Sequence, residues 1–225
     1  MKLLIDSADL EAITNIYEYA PVCGVTTNPT ILKRAGKDPA EILKQIRKII
    51  AEDEMHVQVI GETSEEYVND ALAVREVLGE DVFIKIPATK EGYKAMKALK
   101  AQGFHITATA IYYVSQALLA SGIGVDYIAP YYNRICNEGM DGKEVILSMK
   151  KVLEETDTKI LAASFKTEKQ AAEVAALGIE AMTLSPAVFA QLCDHEKIDE
   201  VTRTFNNDFY ELTGTHSHLK DVLKT

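Results

Sequence analysis

The chain has 225 residues, with 24 Lys and Arg against 34 Asp and Glu, for a formal net charge of −10 at neutral pH. That balance leaves little cationic surface for counterion release on a phosphate backbone, which argues against nucleic acid as a partner. Hydrophobic residues make up 47% and charged residues 26%, the mixture of a globular chain that buries a core rather than of a disordered one.

In chain order, short apolar runs alternate with helical patterns. Residues 3–5 predict a first strand, and a helix opens at Ser7-Ala8-Asp9; Asp6 arrives before any apolar export segment can form. Residues 22–26 predict a second strand, followed by Pro29-Thr30-Ile31-Leu32 and a helix near 39–50. The third and fourth pairs are 55–59 with 64–78 and 82–86 with 90–101. The fifth and sixth are 105–109 with 113–121 and 127–129 with 142–155. The last two are 159–163 with 168–177 and 180–184 with 186–192.

Such alternation predicts a parallel sheet, and eight units predict closure into a (β/α)8 TIM barrel, with residues 1–225 as one α/β domain. An open dinucleotide-binding sheet would carry a glycine fingerprint after its first strand, where Asp6-Ser7-Ala8-Asp9 stands. Residues 197–223 read as an extra C-terminal helix, because Val201, Phe205, Phe209 and Leu212 recur at helical spacing. That apolar face calls for a partner, on its own barrel or on a neighbouring subunit. The uncharged stretch 104–125 is long enough to span a membrane, but His105, Thr107, Thr109, Gln116 and Gly122 mark it as a buried strand and helix. No membrane partner is expected. Cys23, Cys136 and Cys193 are odd in number and lack a C-x-x-C spacing, which fits a reducing, cytoplasmic compartment and neither a disulfide framework nor a zinc site.

Functional groups of such barrels gather at the C-terminal ends of the strands. Those positions hold Asp6, Thr26, Asn28, Gln58, Lys85, Thr107, Thr109, Tyr131, Asn133, Arg134, Ser164 and Lys166. Lys85 stands out, because in Val82-Phe83-Ile84-Lys85-Ile86-Pro87 it shares a face with Phe83 inside an apolar strand. Desolvation would lower its pKa and yield the neutral amine that attacks carbonyls; a structural pair with Asp6 explains an inward lysine equally well. Arg134, Ser164 and Lys166 together suggest a phosphate site near strands six and seven, although each singly reads as an ordinary solvated side chain. Asp6 reads as a general base or as the cap of the first helix, and Asn28-Pro29 as an ordinary helix start. His216 and His218 have no partners at metal-ligand spacing, so no metal is expected.

Gly24-Val25-Thr26-Thr27-Asn28-Pro29, Ile84-Lys85-Ile86-Pro87, Ala129-Pro130-Tyr131-Tyr132-Asn133-Arg134 and Ala162-Ala163-Ser164-Phe165-Lys166-Thr167 resemble, in order and spacing, the small transaldolases and fructose-6-phosphate aldolases. The resemblance implies a class I barrel enzyme of carbohydrate metabolism that needs no cofactor or metal. It implies a homo-oligomer, a decamer of two pentameric rings in which the C-terminal helix reaches a neighbour. It assigns Lys85 as Schiff-base nucleophile, Asp6 as base, Thr26 and Asn28 as site contacts, and Arg134, Ser164 and Lys166 as phosphate ligands. Transaldolase-like members tend to carry Glu on strand three and Phe after the strand-six proline, whereas aldolase-like members carry Gln and Tyr. Here the residues are Gln58 and Tyr131, with Gln58 and Thr109 expected to place the catalytic water. The implied substrates are fructose 6-phosphate, glyceraldehyde 3-phosphate and dihydroxyacetone; transfer to erythrose 4-phosphate, giving sedoheptulose 7-phosphate, is the alternative. A silent sugar-phosphate-binding scaffold is the reading outside enzymology.

Overall fold

The structure, a computed structural model, describes residues 1–224. It contains β1 (Lys2–Asp6), α1 (Leu10–Tyr19), β2 (Gly24–Thr26), α2 (Pro29–Ala35), α3 (Pro39–Ile50), β3 (Glu54–Gln58) and α4 (Ser64–Leu78). β4 (Phe83–Pro87), α5 (Lys90–Lys100), β5 (His105–Ile111), α6 (Val114–Ile123), β6 (Tyr127–Pro130), α7 (Tyr132–Asn137) and α8 (Gly142–Leu153) follow. The chain continues through β7 (Lys159–Ala162), α9 (Glu168–Ala175), β8 (Ala181–Leu184), α10 (Pro186–Cys193), α11 (Glu196–Thr213) and α12 (Leu219–Val222). The eight strands close as a parallel barrel in sequence order, β8 pairing with β1. This is the (β/α)8 architecture that the alternation predicts.

Strand alternation sorts the side chains into two shells. Ile5, Val25, Val57, Ile84, Ile106, Ile128 and Ile160 are buried and alternate with Asp6, Thr26, Gln58, Lys85 and Thr107 on the barrel's inner face. Leu4, Tyr127, Leu161 and Ala181 pack together, with Cys23 and Phe83 against them. Local chemistry starts the helices where the strands stop. Thr63 and Glu66 form a reciprocal capping box at α4, while Thr89, Asp141 and Thr167 accept backbone N–H groups at the starts of α5, α8 and α9. At Gly24 the neighbouring strand comes so close that a Cβ would lie 2.2 Å from the carbonyl oxygen of Glu54, so glycine is required there by space.

α2 starts at Asn28-Pro29 as the sequence predicts, whereas the short helix α7 goes beyond the predicted elements and carries Arg134, which the sequence places at the end of a strand. The uncharged stretch folds as β5 and α6, and no helix among the described residues is long and apolar enough to cross a membrane. The chain divides into two compact units, one running from Met1 to Phe189 and a second that begins at Ala190. The first holds the barrel. In the second, α11 leaves Ile198, Val201, Phe205 and Leu212 exposed.

Candidate active site

Lys85 projects inward from β4, flanked in register by Gln58 of β3 and Thr107 of β5. It is 3% exposed, and its Nζ donates to the carbonyl oxygen of Thr27 at 3.0 Å. Among the described residues no carboxylate lies within ion-pair distance of it. Burial therefore pushes the amine below the ordinary lysine range, and the field of Asp6 only partly restores it. The alternative of a structural ion pair with Asp6 is not what the geometry shows.

Asp6 ends β1, and Thr26 Oγ1 donates to its Oδ1 at 2.7 Å. The same Thr26 oxygen lies 2.8 Å from Thr183 Oγ1 on β8. Because the single Thr26 proton is committed to the carboxylate, Thr183 must be the donor, and the chain Thr183, Thr26, Asp6 is oriented throughout. Burial raises the Asp6 carboxyl, while Lys85, the Thr26 hydroxyl, Lys166 and Arg134 pull it back down. Of the two readings of Asp6, the helix cap is not what the structure shows. Asp9 caps α1 instead, accepting from the backbone of Glu11 at 3.1 Å and Ala12 at 3.2 Å, so Asp6 is left free for the pocket.

Thr109 Oγ1 and Tyr131 Oη lie 2.9 Å apart across the pocket, and the Arg134 guanidinium stacks 4.8 Å above the Tyr131 ring while donating to Tyr112 Oη at 3.4 Å. Burial raises the Tyr131 phenol, against the opposing pull of Thr109 and Arg134. β5 bulges between Ala108 and Ile111, where Ala110 adopts φ 56°. Gln116 holds that bulge: its Oε1 accepts from Tyr112 N at 2.8 Å and Tyr113 N at 3.0 Å. Its Nε2 donates to the carbonyls of Ala110 at 3.1 Å and Ala88 at 3.3 Å. Ser164 follows β7 with φ 66°, a conformation that costs an L-residue on the order of 1–2 kcal/mol. Strain at Ala110 and Ser164 thus lies on the barrel face that bears Lys85 and Asp6.

Lys166 is exposed, with its backbone N–H donating to Gln170 Oε1 at 2.8 Å. Gln170 Nε2 in turn donates to Asn133 Oδ1 at 2.9 Å, and Asn133 N donates to the Ser164 carbonyl at 3.0 Å, so the loops after β6 and β7 are tied together. Asn28 caps α2, accepting from Ile31 N at 3.0 Å, which leaves its amide NH2 available. Asp6, Lys85, Arg134 and Lys166 are close enough that the Asp6 carboxyl feels all three cations. Reasoning from the sequence misses Thr183, Tyr112, Gln116 and the Thr27 carbonyl. Of these, only Thr183 has a legible signal: a hydroxyl facing inward from the otherwise apolar Ala181–Leu184.

Residues 3–224 match the family described as transaldolase/fructose-6-phosphate aldolase. A Streptococcus pneumoniae protein named "Probable fructose-6-phosphate aldolase" is 40% identical over 221 residues, covering 96% of this chain and all of that one. A Cereibacter sphaeroides protein named "Probable transaldolase" is 32% identical over 98% of this chain and all of its own length. A Brucella ovis protein of the same name is 32% identical over 93% of this chain and 96% of its own. Among solved structures, thiamine phosphate pyrophosphorylase from Pyrococcus furiosus superposes with a TM-score of 0.57 at 19% identity, covering 83% of this chain and 86% of that one, a likeness of fold alone.

Proposed function

The chain belongs to the transaldolase/fructose-6-phosphate aldolase family, and from that premise we propose that it is the aldolase, cleaving fructose 6-phosphate through an imine on Lys85. The observation that carries the proposal is the buried Lys85 amine, unpaired with any carboxylate and close enough to Asp6 to feel its field, with Tyr131 also within reach of that carboxyl.

The neutral amine attacks the C2 ketone, and loss of the C2 oxygen as water leaves an iminium. Asp6 removes the proton from the C4 hydroxyl. The C3–C4 bond then breaks, its electron pair flowing into the iminium to give an enamine, and glyceraldehyde 3-phosphate departs. Tyr131, bonded to Thr109, supplies the proton that quenches the enamine at C3, and water held by Gln58 and Thr109 hydrolyses the imine to release dihydroxyacetone. The Arg134 fork, Ser164 and Lys166 hold the phosphate, and Thr26 and Asn28 complete the pocket. No cofactor or metal enters any step. The same proposal includes a cytoplasmic homo-oligomer of two pentameric rings, supported by the exposed apolar face of α11.

Two relatives named as transaldolases favour a second outcome, in which the enamine survives to attack erythrose 4-phosphate. Coupled assay of glyceraldehyde 3-phosphate release, with and without that acceptor, separates the two. Release without acceptor, together with free dihydroxyacetone, is the expected result; release only with acceptor makes the protein a transaldolase. Tyr131→Phe, which keeps the ring under Arg134 and loses the proton donor, is expected to move the ratio of cleavage to transfer toward transfer. An unchanged ratio removes Tyr131 from the quenching step.

Arg134→Ala is expected to raise the KM for fructose 6-phosphate by about 10-fold to 100-fold, the range for loss of one charge-assisted contact. The KM for unphosphorylated dihydroxyacetone in the synthetic direction should change far less. Equal changes for both would make Arg134 a structural partner of Tyr112 and Tyr131.

A further inference from the structure

Directly below Lys85, the barrel interior holds a polar column that the mechanism does not use. His56 is fully buried on β3, its ring stacked on Phe83 at 4.5 Å and 13°. Its Nε2 lies 3.4 Å from Glu54 Oε2, and its Nδ1 lies 2.9 Å from Thr107 Oγ1. Thr107 is the register neighbour of Lys85. A carboxylate, an imidazole and a hydroxyl are thus linked in line, running from the amino-terminal end of the barrel to the side of the reactive amine.

The direction of this column follows from which groups can donate. Burial works against the Glu54 charge, but His56 and Lys2, whose Nζ is 2.5 Å away, hold its carboxyl down at about 2. An ionised carboxylate only accepts, so the proton of the imidazole sits on Nε2. In a neutral ring Nδ1 is then the acceptor and Thr107 the donor. With its one proton spent on His56, the Thr107 hydroxyl offers only lone pairs to any other group. Burial pushes the imidazole to about 4 despite the pull of Glu54, and Lys85 and Lys2 push it the same way. The charged and titratable groups facing the ring are therefore Glu54 on its own strand, Lys2 from β1, Lys85 from β4 and Tyr127 from β6, whose ring meets it edge-on at 5.5 Å. His105 of β5 stands behind Phe83 at 4.9 Å. Thr26, its register neighbour on β2, is uncharged.

We propose that His56, held by Glu54 as the neutral Nε2–H tautomer, is a positioning residue for the Lys85 reaction, keeping the floor beneath the amine free of positive charge and presenting Thr107 there as an acceptor. The proposal deepens the imine reading of the site and rests on it. Its physical reason is that the iminium, unlike the free amine, cannot shed its charge by losing a proton. An imidazolium below it would oppose every step in which the cationic imine forms or persists. Once Lys85 is an imine it no longer titrates as an amine, so the acid limb of kcat reports neighbouring groups, His56 among them.

Two measurements test this. The kinetic one is the acid limb of kcat, each variant normalised to its own plateau and read only where near-ultraviolet circular dichroism is unchanged. His56→Phe keeps the stack on Phe83, and His56→Gln keeps polar reach; neither can become a cation. Both are expected to retain about threefold to fourfold more of their plateau rate at pH 3.5 than the wild type, because an imidazole with a midpoint of about 4 is by then mostly protonated. The second needs no turnover: 15N NMR should show the Nε2–H tautomer of His56 in the wild type, and its protonation midpoint should rise in Lys85→Met, as reciprocal coupling requires. Superimposable normalised profiles, or a His56 midpoint indifferent to Lys85, would overturn the role. A wild type that forms no borohydride-trappable imine overturns the imine reading itself, whereas a wild type that traps substrate and yet gives the same profile as both variants overturns His56 alone.

Discussion

Lys85→Met is expected to abolish covalent trapping of dihydroxyacetone by borohydride and to reduce cleavage by at least about 10⁴-fold, the scale seen when a covalent nucleophile is removed. Methionine fills nearly the same volume in the same apolar strand, so the protein should fold; removing a buried, partly desolvated amine also relieves a cost rather than adding one. The hydrogen bond from Nζ to the Thr27 carbonyl is lost, at a cost of about 1 kcal/mol that the relieved desolvation offsets. Mass spectrometry after reduction is the deciding readout. A retained adduct on another lysine would remove Lys85 from the chemistry, and retained cleavage without any adduct would remove the imine.

Asp6→Asn is expected to separate the two halves of the reaction. The amide still accepts the Thr26 hydroxyl bond through its oxygen, so the Thr183, Thr26, Asp6 chain persists. It cannot take a proton from the C4 hydroxyl, and cleavage should fall by roughly 10²–10⁴-fold, the usual worth of a positioned base. Imine trapping should survive. The sign of its pH dependence is also fixed: Asp6 is the carboxylate whose field partly holds the Lys85 ammonium, so its neutralisation lowers the Lys85 pKa further. The pH midpoint for trapping should therefore move down. A variant that loses trapping and cleavage together would assign Asp6 to imine formation, and one that keeps both would make Thr26 and Asp6 a structural pair.

Acid should act on the base through the same field. Burial raises the Asp6 carboxyl, which brings a carboxylate nearer to the working pH as a base, while Lys85, the Thr26 hydroxyl, Lys166 and Arg134 pull it back down. Arg134 and Lys166 are thus expected to have two effects in the proposed reaction, attracting the phosphate and favouring the ionised form of Asp6. Arg134→Ala should for this reason also move the acid limb of kcat upward.

The eight strands, their parallel order and the inward lysine were legible from the chain alone, because they follow from local periodicity and from the rarity of a charge within an apolar strand. Lys85 declared itself in Phe83-Ile84-Lys85-Ile86 without any knowledge of its neighbours. The helix α7 was less legible, since it is only about two turns long and has little periodicity to read. The roles of Asp6 and Asp9 were not separable from sequence: both are acidic residues at the start of the same helix, and only the backbone path shows that Asp9 caps it while Asp6 turns to Thr26. His56, inside the predicted strand 55–59, is not singled out by its local sequence. What sequence determined about this protein is therefore what depends on neighbours along the chain: strands, helices and the face on which each side chain lies. What only the closed barrel decided is what depends on neighbours across it, including the Thr183 to Asp6 chain, the Thr109 and Tyr131 pair, and the Glu54, His56, Thr107 column beneath Lys85. Apart from Glu54 and His56, which sit two residues apart on one strand, their partners are 20 to 157 residues apart where strands must meet. Register and closure set those meetings, and neither is written in any local window of the sequence.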